Sequence, residues 1–418
     1  MFNRHIVLIS VLVTAIFLLS QCMSSGNKTA EISDSKGEQF AGSASCFKCH
    51  QNICDSFAHT AHYLSSRIAD SNSIKGSFTK GKNQFTFGNS IVAMETSNDS
   101  FYQTQYDIRF GANQPSYEEV NRKPFDIVIG SNTKGQSYLY WSRNKLYQLP
   151  ISYFTVVNNW CNSPGYPFKA DYNRTITARC LECHSTYAKI VSPPGTHPEE
   201  FNASQIIYGI NCEKCHGAAA SHVAYQTQHP ESVVAKYIIN PAKLSREQSL
   251  DLCSLCHSGG SLHNTSPSFS FTAGDTISHY FTRDSTPTDV RSIDVHGNQN
   301  GLLRASLCFK KSKTMTCNTC HNTHNNERGN TALFSQRCMS CHNAKEAVIC
   351  PLTARLGATV IGKNCIDCHM PLYASKSISV SLPGDTAVRA ATVRSHYIGI
   401  YPDETNKIIA LLKKSGRN

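Results

Sequence analysis

The chain is short of methionine: it has six in 418 residues, and beyond the N-terminal region only Met94, Met315, Met339 and Met370. It also lacks a comfortable membrane span, because the apolar run from Ile6 to Leu19 falls short of the ~20 residues that a transmembrane helix needs. No CxxC pair stands without a histidine directly after its second cysteine. That absence argues against a zinc ribbon, which needs paired CxxC knuckles, and against a thioredoxin-like redox pair, since neither requires histidine there.

What the chain has instead is CxxCH, seven times over: Cys46, Cys49 and His50; Cys180, Cys183 and His184; Cys212, Cys215 and His216; Cys253, Cys256 and His257; Cys317, Cys320 and His321; Cys338, Cys341 and His342; Cys365, Cys368 and His369. The spacing has a chemical reason. Two sulfurs add across the two vinyl groups on one edge of a haem, and the next residue turns its imidazole onto the iron. Seven copies predict seven covalently bound haems c, with fourteen of the nineteen cysteines as attachment points and seven proximal histidines.

The N-terminus agrees with haem attachment outside the cytoplasm. Arg4 and His5 precede the apolar run, and residues 1–22 read as a signal peptide. Cys22 follows Leu18-Leu19-Ser20-Gln21, which is similar to a bacterial lipobox, although Gln21 stands where a small residue is usual. Cys22 is thus a lipidation candidate, with simple cleavage or an uncleaved anchor as the alternatives. Residues 23–39 lack apolar periodicity and read as a flexible tether. The expected setting is extracytoplasmic, periplasmic or at the cell surface, with membrane attachment through an N-terminal lipid.

The formal charge of +11 would suggest nucleic acid or an acidic surface as partner. Seven haems, however, bring about fourteen propionates, which offset it. No nucleic-acid partner is expected; redox proteins are. Cys54, Cys161, Cys308 and Cys350 remain outside the motifs and the leader, either as two disulfides or as buried free thiols.

The motifs are unevenly spread, which suggests a division of the chain. A first haem segment covers 40–75 and a six-haem domain 161–400, with a β-rich insertion at 76–160 between them. Within it, Gln84 to Phe87, Ser90 to Thr96, Phe101 to Phe110, Phe125 to Ile129 and Gln136 to Val157 alternate apolar and polar residues, as antiparallel strands do. Tyr138, Tyr140, Trp141, Tyr147, Tyr153 and Phe154 read as cross-strand packing rather than a ligand platform. Residues 401–418 read as an amphipathic C-terminal helix carrying Ile408, Ile409, Leu411 and Leu412. The expected fold class is mainly α, with extensive irregular loops wrapped around a stacked haem core and an inserted antiparallel β subdomain.

Function turns on the second face of each iron. Ten histidines lie outside the motifs and the leader: His59, His62, His197, His222, His229, His263, His279, His296, His324 and His396. With methionine scarce, mostly bis-histidine haems are expected. His197 and His229, each beside a proline, read as solvent histidines, whereas His263, His279 and His296 lie between the fourth and fifth motifs and are distal candidates.

Five stretches carry a family resemblance. They are Phe40-Ala41-Gly42-Ser43 before Cys46 with Thr60 and His62 after it, Ser185-Thr186 after the second motif, Gly217 and Ser221-His222 after the third, His324 after Cys320-His321, and Met370-Pro371 after Cys368-His369. In these the chain resembles the multihaem cytochromes c related to the tetrahaem cytochrome of ammonia oxidisers, a superfamily that includes hydroxylamine oxidoreductase and the pentahaem nitrite reductases. The resemblance spans roughly Phe40 to His396. It implies that a histidine of one segment ligates a haem bound by another, with His62, His222, His324 and His396 as leading distal ligands, and that haems stack in close pairs. Seven sites rather than four is a departure. So is the absence of a lysine-ended CxxCK, the mark of the catalytic haem in pentahaem nitrite reductases. No catalytic residue is identified. The expectation is a non-catalytic electron carrier; the alternatives are a haem-dependent oxidoreductase of small nitrogen or sulfur compounds with one five-coordinate haem, and a subunit of an extracellular cytochrome filament.

Overall fold

The computed structural model describes residues 31–111, 114–165, 169–285, 287, 289–343, 350–382 and 387–414; the leader and Cys22 lie outside them. Strand β1 (Ser66–Ile68) follows the first motif. Four strands then form an antiparallel meander, β2 (Gln84–Phe87), β3 (Ser90–Ser97), β4 (Ser100–Phe110) and β5 (Pro115–Pro124), paired in chain order. In β2 the alternation is plain: Phe85 and Phe87 are buried while Gln84 and Thr86 are exposed.

A second sheet has six strands. Its path is β1, β6 (Ile127–Ile129), β7 (Gly135–Ser142), β9 (Ile151–Phe154) and β10 (Asn159–Asn162), and β8 (Lys145–Gln148) pairs with β7 off that path. Between the two sheets lies an aromatic core of Phe85, Phe87, Phe125, Tyr138, Tyr140, Tyr153 and Trp160. Tyr140 stacks on Tyr147 across the β7–β8 pair with ring centroids 5.4 Å apart, and Trp160 lies 5.8 Å from Tyr138. The Trp160 ring lies over Gly76, where an added Cβ would come within 1.9 Å of it. Only glycine allows that approach.

The fold is not mainly α. The structure holds 31% helix and 27% strand, with five antiparallel sheets. Three of the five are hairpins among or beside the motifs: β11 (Ser185–Ile190) with β12 (Phe201–Tyr208), β13 (Leu262–Asn264) with β14 (Phe281–Arg283), and β15 (Leu372–Val380) with β16 (Arg389–Arg394). The expectation of a mainly α fold is therefore corrected. Most motif helices are brief, and the second and seventh lead almost directly into a strand, β11 and β15, whose partner strand takes up the backbone hydrogen bonds. β11 begins at Ser185, directly after the second motif, and all four of its first residues are buried.

The C-terminal helix Pro402–Lys414 buries Ile409, carries Asp403 and Glu404 in its first turn, and ends on Lys413 and Lys414, which matches the helix dipole at both ends. No helix among the described residues is long and apolar enough to cross a membrane. No disulfide joins any of the described cysteines, and Cys54 and Cys161 are buried.

Candidate haem-binding site

Each motif closes about one helical turn. His50 N–H donates to Cys46 O at 2.9 Å, and His321 and His342 donate likewise to Cys317 O and Cys338 O at 3.0 Å. The second, third, fourth and seventh motifs end the helices Ala178–His184, Cys212–His216, Arg246–His257 and Ala358–His369. A turn of this kind brings residues i, i+3 and i+4 to one face, so two sulfurs and an imidazole point the same way.

The motif histidines meet histidines from distant segments. The ring of His257 lies 6.1 Å from that of His62, His216 lies 6.1 Å from His324, and His321 lies 6.0 Å from His396. Two imidazoles that ligate one iron from opposite faces, at metal–nitrogen distances of about 2 Å, hold their centroids about 6 Å apart. His184 has His296 as its electrostatic neighbour, and His216 has His50 and His222 beside it. His50, His296 and His342 are exposed, whereas His222 and His369 are half-buried.

Several ring orientations are fixed by the backbone. Nδ1–H of His216 donates to Ile239 O at 2.9 Å, that of His222 to Lys236 O at 2.8 Å, and that of His369 to Gly399 O at 2.8 Å. This leaves Nε2 as the free lone pair that a metal requires. Burial, joined by the neighbouring His62, pushes His257 down to about 4, and burial with His321 does the same to His396. Burial also lowers His62, His184 and His216, so these rings are neutral at pH 7, the state that binds metal. His257 and His321 nevertheless keep accessible surface. The donor set fits covalently attached haem.

The other histidines stand apart. His263 gives its Nε2 to Asp284 at 2.8 Å, and both side chains are exposed. His279 is exposed in the turn Ile277–His279; His59 is exposed, and so is His197, which precedes Pro198 through a cis bond. His229 stacks on Tyr225 at 4.3 Å. No contact brings any of these five to a motif histidine.

Sequence reasoning missed the acids within the motifs. Glu213, buried in the third motif, accepts hydrogen bonds from the N–H groups of Ala41, Gly42 and Ala219 at 2.7, 2.9 and 3.0 Å, which holds the approach to the first motif against the third. Glu182, fully buried in the second, accepts from Phe269 N–H at 2.6 Å and from Arg179 at 2.8 Å, and Arg179 also donates to Leu255 O at 2.8 Å beside the fourth motif. Asp367 in the seventh pairs with Arg394. The available signal was an acid between the two cysteines, where a buried charge needs such partners. Gly209, at φ +69°, lets the end of β12 approach the segment after the first motif; a Cβ there would lie 2.2 Å from Tyr63 O.

The family model for cytochrome c554 and c-prime matches residues 166–217, which hold the second and third motifs. The crystal structure of the outer cell wall cytochrome OcwA has a similar fold, with a TM-score of 0.52 and 15% identity over 88% of this chain and 81% of that one. The family match, over two motifs, supports a c-type cytochrome, and the likeness to OcwA shows the fold. No curated protein sequence matches the chain.

Proposed function

We propose that this cytochrome carries seven haems c, one on each CxxCH motif, and passes single electrons among them. Bound haem would supply a one-electron ferric/ferrous couple at each site, and where a second imidazole faces the motif histidine it would keep that couple six-coordinate and closed to substrate. The observation that carries this reading is the set of three His–His pairs at 6.0–6.1 Å, each joining a motif histidine to a distant one. In it His62 serves the fourth motif, His324 the third and His396 the fifth, while His222 serves the first and His296 the second. This exchange of ligands between segments is what the hydroxylamine oxidoreductase superfamily would lead one to expect. The likeness to an outer cell wall cytochrome supports a place outside the cytoplasmic membrane, where Cys22 would carry the lipid anchor.

The test is an iron and haem count on the purified holoprotein together with low-temperature EPR of its ferric form. Seven haems per chain and predominantly low-spin signals are expected. Fewer than seven haems, or a predominantly high-spin spectrum, would overturn the proposal.

One observation favours a second reading. His342 and His369 have no second histidine against them among the described residues. A site with an open axial position can bind a small ligand, which would make the sixth or seventh motif the place for an oxidoreductase activity.

A further inference from the structure

The order of the motifs along the chain is not their order in space. The first motif abuts the third, not the second: the Cys46 thiol lies beside that of Cys212, and Glu213 of the third motif holds the backbone of Ala41 and Gly42. The third adjoins the fourth. Cys215 is an electrostatic neighbour of Cys253, and Ile210, just ahead of the third motif, donates its N–H at 2.9 Å to the carbonyl of His62, whose ring faces His257.

The fourth motif has two more neighbours. Cys256 lies beside Cys183 of the second, with Cys183 Sγ 3.9 Å from Leu255 O and Cys256 Sγ 4.0 Å from Glu182 O. Its other thiol, Cys253, lies beside Cys317 of the fifth. From there the path runs on. Arg337, next to Cys338 of the sixth motif, donates to Cys320 O of the fifth at 2.6 Å, and Ser335 Oγ accepts from Cys365 N–H of the seventh at 3.1 Å.

We propose that the seven attachment sites form a branched line, first–third–fourth–fifth–sixth–seventh, with the second as a side branch and the fourth, Cys253 to His257, as the junction. The proposal rests on the electron-transfer reading above. Each hop oxidises one ferrous iron and reduces a neighbouring ferric one, and hopping falls off steeply with distance, so contact between sites sets the route. The fourth site suits a junction because its two thiols meet three other motifs, Cys253 beside Cys215 and Cys317 and Cys256 beside Cys183, while at the ends of two arms Cys49 of the first motif and Cys180 of the second are exposed. Those two are entry or exit points, and the seventh site ends the third arm.

The experiment uses holoprotein tethered to an electrode through its C-terminal helix Pro402–Lys414, which packs on the helix of the seventh motif, and counts how many haems exchange electrons at the wild-type rate. Replacing a distal histidine by methionine raises the potential of its haem and makes it an electron trap without removing it. For His296→Met, which traps at the second site, the other six haems should keep the wild-type rate. For His62→Met, which traps at the fourth, the six should divide, one part keeping its rate and the rest slowing at least tenfold. Slowing of any haem in His296→Met would put the second site in the main line and overturn the branch; six undisturbed haems in His62→Met would overturn the junction. The charge-transfer band of methionine-ligated ferric haem shows whether each substitution took. Its absence would count against the ligand assignments alone, and the order is then read from C180S/C183S, which lacks the second haem: six of six exchanging supports the branch, and a stranded haem overturns it.

Discussion

Replacing His62 by alanine should change one iron out of seven, in a way that the ring geometry specifies. The planes of His62 and His257 stand at 75°, whereas those of His216 and His324 are 18° apart and those of His321 and His396 26° apart. In a low-spin ferric haem, near-parallel imidazole planes split the two π-bonding d orbitals and give a rhombic EPR spectrum. Near-perpendicular planes leave those orbitals almost degenerate, and the signal then has a single large g value. His62→Ala should therefore remove a large-g component of about one seventh of the low-spin intensity and add a high-spin signal from the same iron. The rhombic signals should survive. His324→Ala and His396→Ala should each do the reverse, removing a rhombic component and sparing the large-g one. The fold should tolerate the change, because Ile210 N–H bonds the backbone carbonyl at position 62, which alanine retains, and trimming a half-buried ring costs about 1 kcal/mol. An unchanged spectrum in His62→Ala, or loss of a rhombic signal in place of the large-g one, would refute the assignment of His62 to the fourth motif.

Two further predictions concern the acids that tie motifs together. Glu213→Ala leaves the N–H groups of Ala41, Gly42 and Ala219 without their acceptor, so it should cost about 3 kcal/mol, read as a fall in the thermal midpoint, while an unchanged midpoint would mean that water replaces the carboxylate freely. Arg337 holds the Glu327 carboxyl below its ordinary range in spite of the opposing burial, so this contribution is present at neutral pH and lost as the pH falls through the lowered folded value. Glu327→Gln should accordingly cost about 2 kcal/mol at pH 7 and much less at pH 3, and an equal loss at both pH values would contradict the ion pair's role.

The motifs were legible because their chemistry is local: CxxCH places every reacting atom within five residues. Three strands of the meander, β2 to β4, were legible too, since β2 alternates strictly and β4 is rich in phenylalanine and tyrosine, whereas β5, exposed along most of its length, was not. The hairpins β11–β12 and β15–β16 were not. Ser185–Ile190 is buried on both faces at its start, so no alternation marks it as a strand, and β15 reads as a polar run of serine and lysine. Among the histidines between the fourth and fifth motifs, nothing local separated His296, beside His184, from His263, which is bound to Asp284 on the surface.

By itself the sequence determined the cofactor chemistry, the number of attachment pentapeptides and the supply of histidines. Only the tertiary structure decided which histidine faces which motif, and that the first motif meets the third while the fourth touches the second and the fifth. The physical reason is range. Covalent attachment is written in neighbouring residues, whereas the histidine that faces a motif and the motif next to it lie across the interior, brought there by buried acids such as Glu182 and Glu213 whose partners are dozens to hundreds of residues away.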